Sequence, residues 1–387
     1  MELRSDCRHF PGDRPCRFHK KTGVTCSDCP HFAERGTGVL IVKLDALGDV
    51  LRTTSVLPSL HRTYDPCHVT WVTSGAAMDL FVGNAMVDEV LDVAGGALPM
   101  LLARDFDLVI NPDASPRACA IATAARGKRK HGFVLSPEGH VKALGGAARE
   151  WLLMGSFDQV KRENRRTYQE ILHEICGLDP AGQRIVLSLT EAERENQSYT
   201  GERPGPGGQG VVVGINAGAG ERWEHKKWRM DGFIELIDML LGETDAGVVL
   251  LGGPAERERN ATIISHFGSR VKGSCHHNLR DFITAVNLCD VVLTGDTLAL
   301  HVALGLEKRV VALFGPTSPH EVDLYGLGQK IVPALDCVCC YRTECDRRPS
   351  CMDLIDARDV FRAVSEEMAR VRAAEMPEAQ MVGEPGR

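Results

Sequence analysis

Residues 291–321 read VVLTGDTLALHVALGLEKRVVALFGPTSPHE. An unbroken apolar run stops at Gly295-Asp296-Thr297, passes into a helix-forming stretch that carries His301, and is followed by a second apolar run ending in Gly315-Pro316-Thr317. Continuous rather than alternating hydrophobicity belongs to strands buried on both faces, which means parallel strands covered by helices. Sheets of that kind bind ligands outside the carboxyl ends of their strands. This stretch therefore commits the chain to an α/β architecture and fixes where a nucleotide-binding crevice would be.

The same alternation runs along the rest of the chain. Residues 38–44 (GVLIVKL), 68–73 (HVTWVT), 89–93 and 106–111 (FDLVIN) read as strands. Residues 49–62 and 116–125 read as helices, the first interrupted near Pro58, and 149–176 is mainly helical. The Pro/Gly-dense segment 202–210 (ERPGPGGQG) has the composition of an interdomain linker. The pattern then restarts, with strands at 211–215, 247–251, 291–293 and 310–314, helices at 231–241, 256–267 and 282–289, and an amphipathic helix at 356–372. At 387 residues the chain is long for one core. The expected organisation is a Cys/His-rich extension (1–36), a first Rossmann-like domain (37–200), a linker (201–210), a second such domain (211–355) and a terminal helix and tail (356–387).

Five elements at strand–helix junctions carry candidate chemistry. After the first strand, Gly48 permits a tight turn and Asp49 stands where a helix opens, either as its cap or as a carboxylate available as a base. Asp45 is a second carboxylate at the same mouth. The run from Asn216 to Trp228 (NAGAGERWEHKKW) is a glycine-containing loop whose N–H groups, with Lys226 or its neighbour Lys227, could hold a diphosphate. Gly252-Gly253 allow a ligand close to the backbone, beside Glu256, which either contacts it or favours the positive end of a helix dipole. At Asp296-Thr297 a helix start offers N–H groups and a hydroxyl to phosphate oxygens, with His301 one turn on. Gly315 and Thr317 lie in the turn after the last strand.

Taken in order, these five elements resemble those of glycosyltransferase family 9, the heptosyltransferases of lipopolysaccharide synthesis, over roughly residues 39–360. The resemblance implies a GT-B fold, with two Rossmann-like doubly wound domains facing a central cleft. It implies inverting transfer of a sugar, closest to L-glycero-D-manno-heptose, from ADP to a lipopolysaccharide core or other glycan acceptor, with no cofactor or divalent ion needed for catalysis. Asp49 takes the role of base, and Lys226, Glu256, Asp296, Thr297, His301, Gly315 and Thr317 that of donor contacts. Leu298 stands where the family commonly has glycine. Other readings of the same donor half are transfer from another nucleotide sugar, a GT-B nucleotide-sugar epimerase, and a non-catalytic, metal-clipped binding protein.

Charge and cysteine usage bound the setting. The net charge of −7 gives no basic field for nucleic acid. No apolar stretch approaches the ~20 residues of a membrane helix, and the first residues carry charges without an apolar core. A cytoplasmic protein is expected, in peripheral contact at most with the inner face of the cytoplasmic membrane. The basic runs containing Arg126, Lys128 and Arg129, and Lys161 and Arg162, are where acidic acceptor sugars or an anionic surface would be met. Fourteen cysteines are many for a reducing compartment. Cys7, Cys16, Cys26 and Cys29 are interleaved with His9, His19 and His31, and Cys337, Cys339, Cys340, Cys345 and Cys351 form a second group. Thiolate-rich groups suit structural zinc, and an iron–sulfur cluster uses the same ligands.

Overall fold

A computed structural model of the chain describes residues 2–180, 184–195, 205, 210–219, 224–273, 278–342 and 344–375. The chain divides into two compact units. The first comprises residues 1–156 and 169–183, and the second residues 157–168 and 184–387. The expected linker 201–210 falls almost entirely outside the described residues.

The first unit holds β1 (Thr37–Val42), β2 (Cys67–Thr73), β3 (Glu89–Asp92), β4 (Asp105–Asn111), β5 (Arg126–Leu135) and β6 (Val141–Leu144) in one sheet. Its order is β3-β2-β1-β4-β5-β6, parallel except for the antiparallel edge strand β6. The order turns back at β1, so the carboxyl ends of β1 and β4 flank a topological switch point. The expected helix over 49–62 is two helices, Leu47–Thr53 and Leu57–Thr63, joined by a 3-10 turn. Pro58 opens the second of them, where its missing N–H costs nothing. The long helical region over 149–176 is likewise three helices, Gly146–Ser156, Asp158–Glu163 and Tyr168–Cys176.

The second unit holds β7 (Val212–Asn216), β8 (Gly247–Leu251), β9 (Val271–Gly273), β10 (Val291–Gly295), β11 (Arg309–Leu313) and β12 (Gly328–Ile331), all parallel, in the order β12-β11-β10-β7-β8-β9. β7, β8 and β10 are buried along their whole length, as their unbroken apolar sequences require. Helix Met230–Glu243 lays Phe233, Leu236, Ile237 and Leu240 into the core. The terminal helix Ala357–Glu375 adds Val360, Val364 and Met368 to that core, so it is part of the second unit rather than an appendage. Trp228 is buried with its indole N–H donating to the Ile355 carbonyl at 3.0 Å. Glu367 is fully buried in the same helix and ion-paired with Arg309 of β11.

Removing one partner of a buried pair leaves the other charge uncompensated. Glu367→Ala is expected to lower stability by about 2–4 kcal/mol in chemical denaturation, with Glu367→Gln less costly. A loss below about 0.5 kcal/mol would show that the pair holds nothing together.

Candidate functional site

At the carboxyl end of β1 the first unit gathers charged groups that follow two strands, β1 and β4. Lys43 follows β1 and is buried, its ammonium 3.3 Å from Asp113, which follows β4 and is buried too. Asp113 Oδ2 also accepts the Leu44 N–H at 3.3 Å, and Oδ1 accepts that of Ser115 at 2.8 Å. Burial alone would raise the Asp113 pKa, but the Lys43 charge and these N–H donors outweigh it and hold the carboxyl below its ordinary value. Asp45 is the more open carboxylate and accepts the Ser74 hydroxyl at 2.8 Å.

Asp49 lies in the first turn of Leu47–Thr53, but it is not the cap. Ala46 holds that position and makes no side-chain capping bond. The Asp49 carboxylate is partly exposed and pairs with Arg52 at 2.8 Å. The carboxylate is thus held in place by a neighbouring cation while the helix N-terminus favours its charge. Asp113 is the member of this group that the sequence did not reveal. Asn111-Pro112-Asp113 reads as an ordinary strand exit, and only the approach of β4 to β1 brings it to Lys43.

In the second unit, the loop after β7 leads to a 3-10 turn, Glu224–Lys226, and places Lys226 against the end of β10. Lys226 Nζ lies 2.9 Å from Asp296 Oδ2 and 3.3 Å from the Asp296 carbonyl. Lys227 turns the other way, to exposed Glu224 at 2.6 Å. The geometry thereby separates the two adjacent lysines that the sequence left as alternatives. Thr297, not Asp296, caps helix Leu298–Gly305: its Oγ1 accepts the Ala299 N–H at 3.2 Å and meets Thr294 Oγ1 at 2.9 Å. Asp296 is left to hold the Lys226 ammonium. His301 is buried one turn beyond the cap.

Glu256 ends the 3-10 turn after β8 and is nearly buried. Its carboxylate accepts the Gly253 N–H at 2.8 Å. Gly218 is a necessary neighbour, because a Cβ there would fall inside that carboxylate. A Cβ on Gly252 would come within 2.6 Å of Glu256 Cβ.

Gly315 and Thr317 are buried beneath the carboxyl cysteine segment rather than open to a ligand. A Cβ on Gly315 would meet Cys351 Sγ and Met352 Sδ, each at 2.7 Å. The Cys339 N–H donates to the Gly315 carbonyl at 2.9 Å, and the Tyr341 N–H to that of Pro316 at 2.8 Å. The Tyr341 hydroxyl donates to Glu321 at 2.7 Å and accepts the Ser318 N–H at 3.1 Å. The segment is a clamp on the loop after β11.

The basic residues expected to meet an acceptor lie elsewhere. Arg126, Lys128 and Arg129 occupy the start of β5, opposite the start of parallel β4, with Arg126 paired to Asp105 and Lys128 to Asp107. Asp49 and Asp113 sit past the other end of those strands, on the order of 20 Å away at ~3.3 Å per residue. Arg126 and Lys128 form a cross-strand ladder of opposite charges, and Arg129 lies over the Tyr64 ring at 5.4 Å. Lys161 stacks over the Tyr341 ring at 3.8 Å, and Arg162 Nε donates to the Asp158 carbonyl at 3.3 Å within its own helix. Among the described residues, no three His, Cys, Asp or Glu side chains are placed to hold one metal ion. The zinc or iron–sulfur site expected at the cysteine groups is therefore not shown by the described residues.

The model of glycosyltransferase family 9 (heptosyltransferase) matches residues 99–349. Lipopolysaccharide heptosyltransferase 2 of Salmonella typhimurium is 28% identical over 142 residues, 34% of this chain and only 38% of that protein's length. Lipopolysaccharide core heptosyltransferase OpsX of Haemophilus influenzae is 21% identical over 315 residues, 76% of this chain and 84% of that protein. The structure of E. coli heptosyltransferase WaaC with ADP superposes with a TM-score of 0.59 at 19% identity, covering 87% of this chain and 100% of that one, a likeness of fold.

Two outcomes follow from this geometry. Gly218→Ala should cost about 1–3 kcal/mol by steric overlap, and the cost should largely vanish in a Glu256→Ala background. Strict additivity in denaturant unfolding would refute the contact. The second concerns pH. Asp113 has a folded pKa below its unfolded one, so its contribution is complete above the unfolded value and is lost as pH falls through the folded value. The stability advantage of wild type over Asp113→Asn should be full at pH 5–7 and shrink below about pH 4. An advantage that is independent of pH would remove the depressed carboxyl from the account.

Proposed function

The chain belongs to glycosyltransferase family 9, and from that premise we propose that it transfers a heptose from ADP-heptose to a lipopolysaccharide core acceptor, with inversion at the anomeric carbon. The relatives named as lipopolysaccharide heptosyltransferases support the sugar and the acceptor, and the solved heptosyltransferase with ADP supports the nucleotide. The observation that carries the reading is Lys226 held by Asp296 beside the N-terminus of Leu298–Gly305. An ammonium and a row of helix N–H groups converge where a diphosphate leaving group would gain negative charge.

Chemistry divides between the two units. In the first, Asp49 takes the proton of the acceptor hydroxyl as its oxygen attacks the anomeric carbon. The C–O bond to the β-phosphate breaks on the opposite face, and ADP departs with the bonding pair. In the second, Lys226 and the helix N-terminus stabilise that charge, and Asp296 fixes the lysine beforehand so that little reorganisation is needed at the transition state. Glu256 shapes the Gly252-Gly253 turn through its bond to the Gly253 N–H, a turn that lets the nucleotide lie close to the backbone. Thr297 holds the helix start, and His301 supports it from within. The clamped loop at Gly315 and Thr317 bounds the same end of the sheet. A cytoplasmic setting, at the inner face of the membrane where a lipid-linked acceptor would be met, agrees with the described cysteines being free thiols.

Product analysis by mass spectrometry, with ADP-heptose and heptose-deficient core lipopolysaccharide, should show an acceptor heavier by one heptose, and free ADP. Asp49→Asn should slow transfer by about 10²–10⁴-fold while leaving ADP affinity within about twofold. Transfer at the wild-type rate would strip Asp49 of its role. Free sugar with no acceptor product would favour an epimerase instead.

A further inference from the structure

The first unit carries an apolar trough that the proposed chemistry leaves unused. Helix Ala97–Ala103, which leads into β4, and helix Pro116–Ala124, which follows it, cover the same face of the sheet. Between them is a cavity of about 360 Å³, with buried Val72, Leu101 and Ile121 as its floor and Leu98, Ala120 and Ala124 along its sides. Positions 117, 120, 121 and 124 share one stripe of the second helix. Alanine at two of them keeps the space open, since a longer side chain there would reach across and fill it. Pockets for organic ligands are of this size and mostly apolar, with a few polar groups that fix orientation. The one charged side chain lining this cavity is Arg117.

Three further observations decide what fits there. Leu98, Met100 and Leu102 are 47%, 43% and 45% exposed, so a seven-residue helix shows solvent three large apolar side chains. Scattered singly, such side chains need no explanation, but grouped beside an apolar trough they extend it. Arg117 is exposed and makes no hydrogen bond or ion pair among the described residues. Other arginines of the unit are paired, Arg104 with Glu89 and Arg126 with Asp105. Position is the third observation. Arg117 lies in the first turn of its helix, two residues after Ser115, whose N–H donates to Asp113. The charged end of the trough is therefore at the carboxyl ends of β1 and β4, the rim that also holds Lys43 and Asp49. Ala120 and Ala124 lead away from that rim along the helix. The complementary ligand has an anionic group at one end and a hydrocarbon chain behind it.

We propose that this trough seats a hydrocarbon chain of the lipid that carries the acceptor, with Arg117 on an anionic group of the same lipid. The proposal rests on the transferase reading, which brings a lipid-linked acceptor to that rim. It adds a subsite for a part of the acceptor that does not react. Contacts made there hold the acceptor at the rim without touching the hydroxyl that Asp49 deprotonates, and so act on KM before kcat.

The test has a binding arm and a transfer arm, both on the full chain. In the first, a series of n-alkyl phosphates from hexyl to decyl is titrated calorimetrically below micelle-forming concentrations, with inorganic phosphate as the control. One site per chain is expected, with affinity rising about two- to fourfold per added methylene. Ala120→Leu and Ala124→Leu fill the trough and should abolish the rise. Arg117→Gln should weaken every member about tenfold and keep the rise. Circular dichroism shows that the variants fold. In the second arm, KM is compared for acylated and chemically deacylated acceptor. The wild type should favour the acylated one, and Ala120→Leu should erase that preference while leaving transfer to the deacylated acceptor unchanged. Affinity independent of chain length, or a rise that survives both leucine variants, would overturn the trough and leave the transferase reading standing. Equal KM values in the wild type would overturn the acceptor's lipid as the occupant. No transfer to either acceptor, with the chain-length rise intact, would refute the transferase reading and the acceptor as occupant together.

Discussion

The ion pair between Lys226 and Asp296 joins two segments that are 70 residues apart in sequence. It ties the loop leaving β7 to the residue leaving β10, strands that lie side by side in the sheet. Parallel strands oblige this arrangement. Their carboxyl ends all face one way, so every exit loop competes for the same rim, and each following helix presents its N–H groups there. A cation placed on that rim must be kept from folding back onto solvent. Asp296 does so, and its neighbour Thr297 takes over the capping that an aspartate at such a position often performs. Two adjacent side chains thus divide what either could have done alone.

Around that rim, shape depends on the absence of side chains. Gly218 and Gly252 make room for Glu256, whose carboxylate holds the Gly253 N–H. Gly315 makes room for Cys351 and Met352, which fasten the loop after β11. These glycines are needed for close approach within the protein, before any ligand is considered. The first unit reaches a rigid rim by another route. Its buried Lys43–Asp113 pair bridges the exits of β1 and β4, next to the helix that carries Asp49.

The central strands and the helices between them were legible because burial on both faces leaves a continuous apolar run. The strands that sequence reading passed over are edge or near-edge members: β5, β6, β9 and β12. β5 begins RGKRKH, which reads as a solvated charge run, yet its register against Asp105 and Asp107 makes those charges a ladder. Asp113 was hidden for a related reason, since a partner 70 residues away leaves no local trace. The boundary between the units was hidden too. The segment 157–168, with its short helix Asp158–Glu163, belongs to the second unit while the stretch after it returns to the first, an exchange that composition does not record. At the candidate site, the junction motifs pointed to the right loops, but the tasks of individual residues (Asp296 as lysine holder, Gly315 under a clamp) come from packing.

The place of the last helix has a consequence for how the molecule is made. Ala357–Glu375 supplies core side chains to a sheet whose first strand, β7, begins at Val212, and buried Glu367 pairs with Arg309. A ribosome delivers that helix only after every strand of the sheet. The first unit, complete by residue 183, can close while synthesis continues, since domains generally fold amino-terminal first. The second waits with an apolar face of β10 and β11 uncovered until that helix has been made. Premature termination between residues 183 and 357 would leave a nascent chain with one finished half and one that a chaperone or a protease must meet.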